Sequence, residues 1–287
     1  MSVKIGVVGS INLDLVASGA PLPGPGETVT GASFAQYPGG KGANQALAAR
    51  RLGAEVAMIG CVGKDAMADA ALALLRADGV DVTRVTALAD VPTGVALIAV
   101  SPEGENQIIV ASGANAKVAA DAGFSLPDCD AVLCQLEVPE AAVASALAAE
   151  RDGALFAVNL APALPVDSKL LQLADLLIVN EGEAAFYGDA LHQGRGMVAL
   201  TLGSKGAVLL KAGKEIARAP AFKVEVVDTT GAGDTFCAGL VVALAEGQTP
   251  EDALRFASAA AALAVTKAGA QPSLPWRKDV DTFLERV

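Results

Sequence analysis

The sequence predicts an α/β protein in which helices cover both faces of a mainly parallel sheet, giving three α/β/α layers, together with a small additional β-sheet. Short apolar runs alternate with segments of helical periodicity along most of the chain, as repeated βα units require. Alternating segments within residues 14–37 and 93–111 indicate the small sheet, because strict alternation is typical of half-buried strands. We expect a single domain over residues 1–287 that carries this small sheet as a lid.

The first half of the chain contributes elements of both sheets. An apolar run over 3–9 predicts a buried first strand, and it is followed by a loop rich in proline and glycine over 21–26. Periodicity then predicts an edge-type strand over 28–37, a helix over 43–52, a strand over 54–60, a helix over 66–78, and a hairpin within 93–111 that turns at 102–105.

The second half repeats βα units. Apolar runs predict strands over 131–136, 155–160, 176–180, 197–202 and 207–210, with a helix from Pro139. An Ala-rich helix over 251–266 is apolar nearly all round and is expected to be buried, and a short amphipathic helix over 276–287 closes the chain. Strands that alternate with helices in this way favour parallel pairing.

Composition excludes several function classes. The 287 residues carry a net charge of −11, which disfavours nucleic acid and anionic membrane surfaces as partners. No apolar run approaches the roughly 18 residues of a membrane span, and the first twenty residues read better as a strand than as a signal peptide, so we expect a cytoplasmic protein that is not exported. The four cysteines lack CxxC spacing, which indicates neither zinc binding nor a disulfide framework.

The stretch VDTTGAGDTFCAGL over 227–240 predicts an anion-binding turn. A β-branched run ends at Asp228, and Gly231, Ala232 and Gly233 precede a helical segment that Asp234 opens. Glycines let backbone N–H groups converge on one point, and the helix adds the positive end of its dipole, which suits a phosphoryl group. Asp234 is the candidate base for an attacking hydroxyl, whereas an ordinary glycine turn before a helix is the alternative.

Two further stretches carry polar groups beside glycines. Asn12 and Asp14 lie two residues apart, so they share one face of an extended chain and match vicinal sugar hydroxyls; a surface Asx turn is the alternative. In GGKGANQA, Gly40, Lys41 and Asn44 stand at the start of a predicted helix. This is not a Walker A loop, because Gly42 follows Lys41 where serine or threonine is required, and GVVGSI near the start lacks the dinucleotide fingerprint.

Together, GSINLD, GGKGANQA and GAGD closely resemble the signatures of the ribokinase-like (PfkB) carbohydrate kinases. The resemblance runs over nearly the whole chain and implies an ATP-dependent sugar kinase, with ribose favoured as the sugar. It places Asn12, Asp14, Gly40, Lys41 and Asn44 at the sugar, and Asp234 as the base that also contacts it. Kinases for another furanose or for a nucleoside are the rivals within this class, and a non-catalytic sugar or nucleotide sensor is the rival outside it.

The same resemblance implies the remaining site residues. Glu137 in QLE is expected near the sugar and phosphates, and Asn180 and Glu183 are expected to order Mg²⁺ and its waters, a helix cap being the alternative. The segment between Glu183 and Thr201 is shorter than is usual in the family, so the helix beside the nucleotide is expected to be trimmed. The nucleotide positions implied by the family are Thr201, Gly203, Lys205, Gly206, Gly233 and Ser258.

A monovalent cation, K⁺ above Na⁺, is also implied by the resemblance. Its ligands would come from two loops that flank the glycine turn: Asp228, Thr230, Ala264, Lys267, Gly269 and Ser273. A hydrogen-bonded cap on the turn is the alternative role for Asp228. The family further implies a homodimer joined through the lid, which offers alternating apolar residues at Val95, Leu97, Ile108 and Val110.

Overall fold

The computed structural model describes residues 2–118, 125–149 and 153–287. The strands are β1 (Lys4–Val8), β2 (Asn12–Ser18), β3 (Ser33–Gly39), β4 (Glu55–Gly63), β5 (Val85–Leu88), β6 (Gly94–Val100), β7 (Asn106–Ala111), β8 (Ala131–Gln135), β9 (Leu155–Asn159), β10 (Leu176–Asn180), β11 (Met197–Thr201), β12 (Ala207–Lys211) and β13 (Lys214–Ala219). The α-helices are α1 (Lys41–Arg51), α2 (Ala66–Ala77), α3 (Glu140–Ala148), α4 (Ser168–Leu173), α5 (Glu181–Tyr187), α6 (Ala232–Ala245), α7 (Pro250–Ala264), α8 (Ala270–Ser273) and α9 (Arg277–Leu284).

Within these residues the main sheet has the strand order β13-β12-β11-β10-β9-β8-β1-β4-β5. Neighbouring strands from β11 through to β5 pair in parallel, and only the pairs β11/β12 and β12/β13 at one edge are antiparallel. The mainly parallel sheet predicted from the βα pattern is therefore confirmed.

Helices cover both faces of this sheet, as parallel strands require. One apolar cluster joins the sheet to α1, α2, α6, α7 and α9, and it includes Leu47, Leu240 and Leu254. A second cluster lies on the opposite face with α3 and α4, and it includes Val143 and Leu171. These clusters are the two cores of the three-layer α/β/α arrangement.

A second sheet, with the order β3-β2-β6-β7, stands beside the main one. β2 pairs antiparallel with β3 and parallel with β6, and β6 and β7 form the predicted hairpin. Every residue of β7 is exposed, and the large side chains Ile108, Ile109 and Val110 are each half or more exposed. This sheet thus presents an apolar surface to solvent.

The register of the main sheet brings several polar residues to one edge. Gln135 pairs with Asn159, and Asn159 pairs with Ile178, on adjacent parallel strands. Asn180 pairs with Thr201 on the next two strands. The carboxyl ends of β8 to β11 therefore form a row of polar side chains, at the edge where α/β sheets bind ligands.

Some element bounds differ from the sequence-based expectation. The helix expected from Ala43 begins at Lys41, because residues outside the helix accept hydrogen bonds from its first N–H groups, as described below. The strand expected over 28–37 occupies Ser33–Gly39, since Gly31 has a φ of 90° that interrupts the extended chain. β5 and β13 were not predicted; β13 reads KEIARA and lies at the sheet edge, where charged residues are common.

Among the described residues, no helix combines the length and the apolar character that crossing a bilayer demands.

Candidate active site

Asp234 lies in the first turn of α6, directly after the glycine turn. Gly231 precedes this helix with φ 80°, a left-handed conformation that a side chain would strain. A Cβ added at Gly233 would meet no atom within 4 Å apart from its chain neighbours and the nearby backbone of its own helix, so the space in front of this residue is open. The first N–H groups of a helix have no partner inside it, and here they stand beside that open space. An anion can therefore approach the N-terminus of α6 closely.

The Asp234 carboxylate is held from behind by two amides of α1. Asn44 Nδ2 donates to Asp234 Oδ2 at 2.9 Å, and Gln45 Nε2 donates to Oδ1 at 3.0 Å. Asp234 is only 8% exposed. Burial raises the pKa of this carboxyl, whereas the Lys41 ammonium and the two amide N–H groups oppose the rise. Asp234 is thus a buried carboxylate whose charged form is supported by fixed donors.

Glu137 caps the start of α1. Its Oε2 accepts hydrogen bonds from Ser10 Oγ at 2.6 Å and from the Lys41 backbone N–H at 3.0 Å. Ser10 Oγ in turn accepts from the Gly42 N–H at 3.2 Å. Gly40, with φ 87°, makes the close turn into the helix. The Glu137 carboxylate thereby fixes the backbone that positions Lys41 and Asn44.

Lys41 is partly buried among acidic groups. Burial alone would lower the pKa of its ammonium, but the nearby carboxylates of Asp234 and Glu137 outweigh it and raise the pKa. Lys41 therefore carries a positive charge beside the Asp234 carboxylate, a charge that can offset that of a bound anion.

Asn12 and Asp14 lie on β2 at the base of the second sheet. Asn12 is 3% exposed, and its Oδ1 accepts from Asn115 Nδ2 at 2.7 Å. Asn115 is oriented by the backbone, because its Oδ1 accepts from the Ile11 N–H at 2.9 Å. This arrangement leaves the Asn12 amide nitrogen to donate to a substrate. Burial, with the carboxylates Glu137 and Asp234, raises the pKa of Asp14 to about 6.

The predicted nucleotide side lies at the ends of β10 and β11. Asn180 and Glu183 form a reciprocal cap on α5: Asn180 Oδ1 accepts from the Glu183 N–H, and Glu183 Oε2 accepts from the Asn180 N–H, each at 2.8 Å. The helix-cap alternative for Asn180 is thus realised. Burial raises the pKa of Glu183, and the Asn180 N–H and Lys41 oppose it. Thr201 lies beside Asn180 in the sheet register.

Three other predicted nucleotide residues form the turn after β11. Gly203 and Lys205 belong to a short 3₁₀ turn, and Lys205 Nζ lies 3.8 Å from the exposed Glu181 carboxylate. The Gly206 carbonyl accepts from the Leu202 N–H, which closes this turn. Ser258 lies on α7; its Oγ is buried and has no hydrogen-bond partner in the described part of the chain. No hydrogen bond in that part of the chain joins Ser258 or Lys205 to another predicted site residue.

The two loops predicted to hold a cation lie against each other. Asp228 Oδ1 accepts from the N–H and the hydroxyl of Thr230, at 2.9 and 2.7 Å, and Oδ2 accepts from the Gly269 N–H at 2.8 Å. Burial opposes ionisation, but these hydrogen bonds lower the pKa of Asp228. The Ser273 hydroxyl donates to the Ala270 carbonyl. Asp228 therefore joins the loop that carries the glycine turn to the loop before α8.

Of the other two predicted cation ligands, Ala264 is the last residue of α7 and Lys267 lies in the loop that follows this helix from Val265. The Val265 carbonyl accepts from the N–H groups of Val227 and Asp228, so the loops also meet through the backbone. Among the described residues there is no cluster of three or more His, Cys, Asp or Glu side chains placed to hold a metal.

Sequence reasoning missed several polar residues that complete the site: Ser10, Gln45, Asn115, Gln135 and Asn159. Gln135 and Asn159 are buried polar residues at the last position of otherwise apolar strands, AVLCQ and LFAVN. That position in a parallel strand is a usable signal, because the carboxyl ends of such strands meet at one edge. Asn115 lies in a 3₁₀ turn and offered no comparable pattern.

Comparison with known proteins identifies a family model and several related proteins that match nearly the whole chain. The model of the pfkB family carbohydrate kinases matches residues 3–277. The chain is 39% identical to a ribokinase of Haemophilus influenzae over 303 residues, covering 98% of each protein, and 41% identical to one of Bacillus subtilis over 292 residues, covering 98% of this chain and 99% of the relative. Among solved structures, the Arabidopsis thaliana ribokinase complexed with ribose and ATP superposes with a TM-score of 0.89 at 34% identity, with 99% of each chain covered.

Proposed function

Because the chain belongs to the pfkB family of carbohydrate kinases, we propose from that premise that it is an ATP-dependent ribokinase. It transfers the γ-phosphoryl group of ATP to the 5-hydroxyl of D-ribose and releases D-ribose 5-phosphate and ADP. The full-length identity to the two bacterial ribokinases and the likeness to a ribokinase complexed with ribose and ATP support this assignment.

One contact within the site supports the proposal most directly. The GGKGANQA helix and the GAGD turn meet at a single carboxylate, where Asn44 and Gln45 donate to Asp234 from positions 190 and 189 residues away. Asn44 Oδ1 is buried and has no partner among the described residues, which leaves one unsatisfied acceptor beside Asp234. A base and a sugar-binding amide are thus joined in one unit.

The reaction follows from this geometry. The Asp234 carboxylate accepts the proton of the 5-hydroxyl as the hydroxyl oxygen forms its bond to the γ-phosphorus, and the bond to the β-phosphate oxygen breaks with its electron pair leaving on ADP. The N–H groups at the start of α6 and the Lys41 ammonium stabilise the charge on the phosphoryl oxygens. Asn12 and Asp14 orient the sugar, with Asn12 as donor and Asp14 as acceptor.

We also propose that Mg²⁺ accompanies the nucleotide. The oxygen donors of Asn180 and Glu183 at the ends of the strands suit a hard cation, and the cap they form fixes their position. When bound, Mg²⁺ would neutralise phosphate charge. Since no all-protein cluster of acidic ligands exists in the described ranges, these residues would hold it largely through waters and phosphate oxygens.

A monovalent cation is proposed for the loops that Asp228 joins. Oxygen ligands suit a large, hard cation such as K⁺. They would come from the side chains of Asp228 and Ser273 and from the carbonyls of Thr230, Ala264, Lys267 and Gly269. The contacts between the two loops support this placement. When bound, the cation would brace the glycine turn from behind.

Homodimerisation in the cytoplasm is proposed through the second sheet, which would act as the lid. The strand register places the exposed apolar side chains Phe34, Leu97 and Ile109 on one face of this sheet and Ile108 and Val110 on the other, so the expected patch of Val95, Leu97, Ile108 and Val110 is divided between the two faces. A second copy of the sheet can cover one of these faces. Light scattering at micromolar concentration is expected to give twice the 28.6 kDa chain mass. A monomer under those conditions would contradict this arrangement.

The activity is tested with a substrate panel. ATP consumption is measured against pentoses, hexoses and nucleosides, and NMR assigns the phosphorylated position. We expect ribose to give the highest kcat/KM and the product to carry phosphate on O5. A nucleoside as the preferred substrate would replace the assignment by a nucleoside kinase, and binding of sugar without turnover would indicate a sensor.

A further inference from the structure

We propose that the side-chain amides of Gln45, Asn159 and Gln135 form a hydrogen-bonded chain, called here the amide relay. A backbone carbonyl of the main sheet sets the orientation of these amides, and the relay stabilises the ionised form of Asp234 in which it can act as a base. The relay deepens the proposed function, because it assigns positioning residues to the base of that reaction. Gln45 and Gln135 are fully buried, and Asn159 is 8% exposed. Of these three residues only Gln45 has a hydrogen bond to Asp234, so Asn159 and Gln135 act through it.

The relay starts at Ile178. Asn159 Nδ2 donates to the Ile178 carbonyl at 3.2 Å. A carbonyl oxygen can only accept hydrogen bonds, so Asn159 must turn its NH₂ group toward β10 and its oxygen toward Gln45. The neighbouring Leu160 N–H also donates to this carbonyl, which keeps the carbonyl fixed in the sheet.

The orientation of Asn159 then sets the orientation of the Gln45 amide. Asn159 Oδ1 accepts from Gln45 Nε2 at 3.2 Å, so the NH₂ group of Gln45 faces both Asn159 and Asp234 Oδ1. The Gln45 oxygen points the other way and accepts from Gln135 Nε2 at 2.6 Å. All three hydrogen-bonding groups of this amide are therefore engaged, and turning it over would break each bond and set an oxygen against the carboxylate.

Asn44 provides a contrast on the same carboxylate. Its Nδ2 donates to Asp234, but its Oδ1 has no partner in the described part of the chain. Within that part, one hydrogen bond, to Asp234, fixes the amide, and its oxygen is left as an unsatisfied acceptor. Gln45 is committed to Asp234 by the relay, and it supplies one permanent N–H to the charged form of the base.

Other charges also act on Asp234, and the relay variants leave them in place. Lys41 on α1 favours its ionised form, and Glu137 after β8 opposes it. Asp14 on β2 and Cys237 on α6 also interact with the Asp234 charge. A change in the titration of Asp234 on substitution of Asn159 therefore reports on the relay.

The decisive variant is Asn159→Leu, which removes the direction-setting amide and keeps the branching at Cγ. Without it, Gln45 and Gln135 can turn over together and present the Gln45 oxygen to a protonated Asp234. We expect the acid limb of the kcat profile, measured at saturating ribose and Mg·ATP, to move up by about one pH unit, the effect of one hydrogen bond to a charged group. At high pH kcat should approach the wild-type value.

Two companion variants sharpen the test. Gln135→Met leaves the Asn159 anchor intact and should move the limb less than Asn159→Leu does, whereas Gln45→Met removes the N–H itself and should move it upward as well. Val143→Ala, in the core on the other face, is the control for lost packing and should leave the limb in place. The ionisation of ATP affects all variants equally.

A second measurement does not depend on turnover. NMR of ¹³C-labelled aspartate follows the Asp234 carboxyl directly, with its signal assigned by its loss in Asp234→Asn, and the titration should move up in Asn159→Leu and in Gln45→Met. An unchanged titration, or equal shifts in Asn159→Leu and Gln135→Met, would overturn the relay. If the wild-type protein does not phosphorylate ribose, the proposed function is rejected. The NMR titration still decides whether the relay acts on Asp234. If Asn159→Leu does not fold, the Asp234 titration in Gln45→Met is compared with that in Gln135→Met. A larger upward shift in Gln45→Met supports the relay, and equal shifts overturn it.

Discussion

Asn44 Nδ2 donates to Asp234 Oδ2 over 2.9 Å, and this single bond joins two motifs that lie 190 residues apart in the chain. It connects the start of α1 to the start of α6. Because both helices begin at the same edge of the sheet, the Asn44 amide, the Asp234 carboxylate and the glycine turn before α6 lie together in one site.

Asp234→Asn is expected to lower kcat by roughly 10² to 10⁴, the range for loss of a general base. The asparagine cannot accept the proton, and its NH₂ group would face the N–H groups of Asn44 or Gln45. Steady-state kinetics give kcat, and calorimetry with an ATP analogue checks that the nucleotide still binds. Turnover near that of the wild type would reject Asp234 as the base.

Gly233→Ala is expected to lower kcat while leaving the fold intact or making it slightly more stable. The added methyl group meets no atom within 4 Å beyond its chain neighbours and the nearby backbone of its own helix, and alanine is favoured over glycine in a helix by about 1 kcal/mol. The methyl group does, however, enter the space through which, in the proposed reaction, a phosphoryl group would reach the N–H groups. Thermal unfolding and kcat are measured on the same preparation.

Gly231→Ala is the matched comparison for that variant. Its φ of 80° strains any side chain, and its Cβ would lie 3.2 Å from Ala270 Cα, so this variant should lose stability as well as activity. If Gly233→Ala kept full activity, the open space in front of it would not be the phosphoryl site.

Much of the fold could be predicted because local patterns determine it. The parallel strands are continuous apolar runs, and the glycines at 231 and 233 mark the turn before α6 without any knowledge of the partner helix. The hydrogen bonds around Asp234 could not be predicted, since Gln45 and Asn159 meet only when strand register and helix position are fixed. Buried amides carry no periodic signal, and their roles depend on which way each amide faces.

The chosen sugar should depend on the 2-hydroxyl. The Asn115 amide orients Asn12 so that its nitrogen can donate, and Asp14 supplies the acceptor. A sugar that lacks one hydroxyl leaves these buried groups unmatched, at about 1–3 kcal/mol for each group. We therefore expect a lower kcat/KM for 2-deoxyribose than for ribose, and equal values would contradict the pairing.

Asp14→Asn should raise stability at high pH and weaken ribose binding. The folded-state pKa of Asp14, about 6, lies above its unfolded value near 4, so the folded state binds the proton more tightly. In the wild type this stabilisation is complete below pH 4 and is lost as pH rises through 6. The variant should therefore gain up to about 3 kcal/mol relative to the wild type at pH 8 and nothing at pH 4.

Thermal or urea unfolding of both proteins at pH 4 and pH 8 measures that difference. The comparison at each pH cancels the other titrating groups. Equal differences at both values would show that Asp14 ionisation does not limit stability.

The last prediction concerns the effect of a monovalent cation beside Asp228. Its carboxylate already accepts hydrogen bonds from Thr230 and Gly269, so the loops are joined even without an ion. If K⁺ also braces the turn, it fixes the N–H groups that face the phosphoryl, and its effect should appear in kcat rather than in ribose KM. We expect kcat to be higher in potassium chloride than in sodium chloride, and lowest in tetramethylammonium chloride.

Rates are compared at equal ionic strength after bound ions have been removed, because general screening treats the three salts nearly alike. Substitution of Asp228 would not separate the two roles, since it breaks the loop contact in either case. The ion comparison does separate them, because it leaves every hydrogen bond of Asp228 in place. Equal kcat in all three salts would remove the cation from the mechanism and leave Asp228 as the residue that joins the glycine turn to the loop before α8.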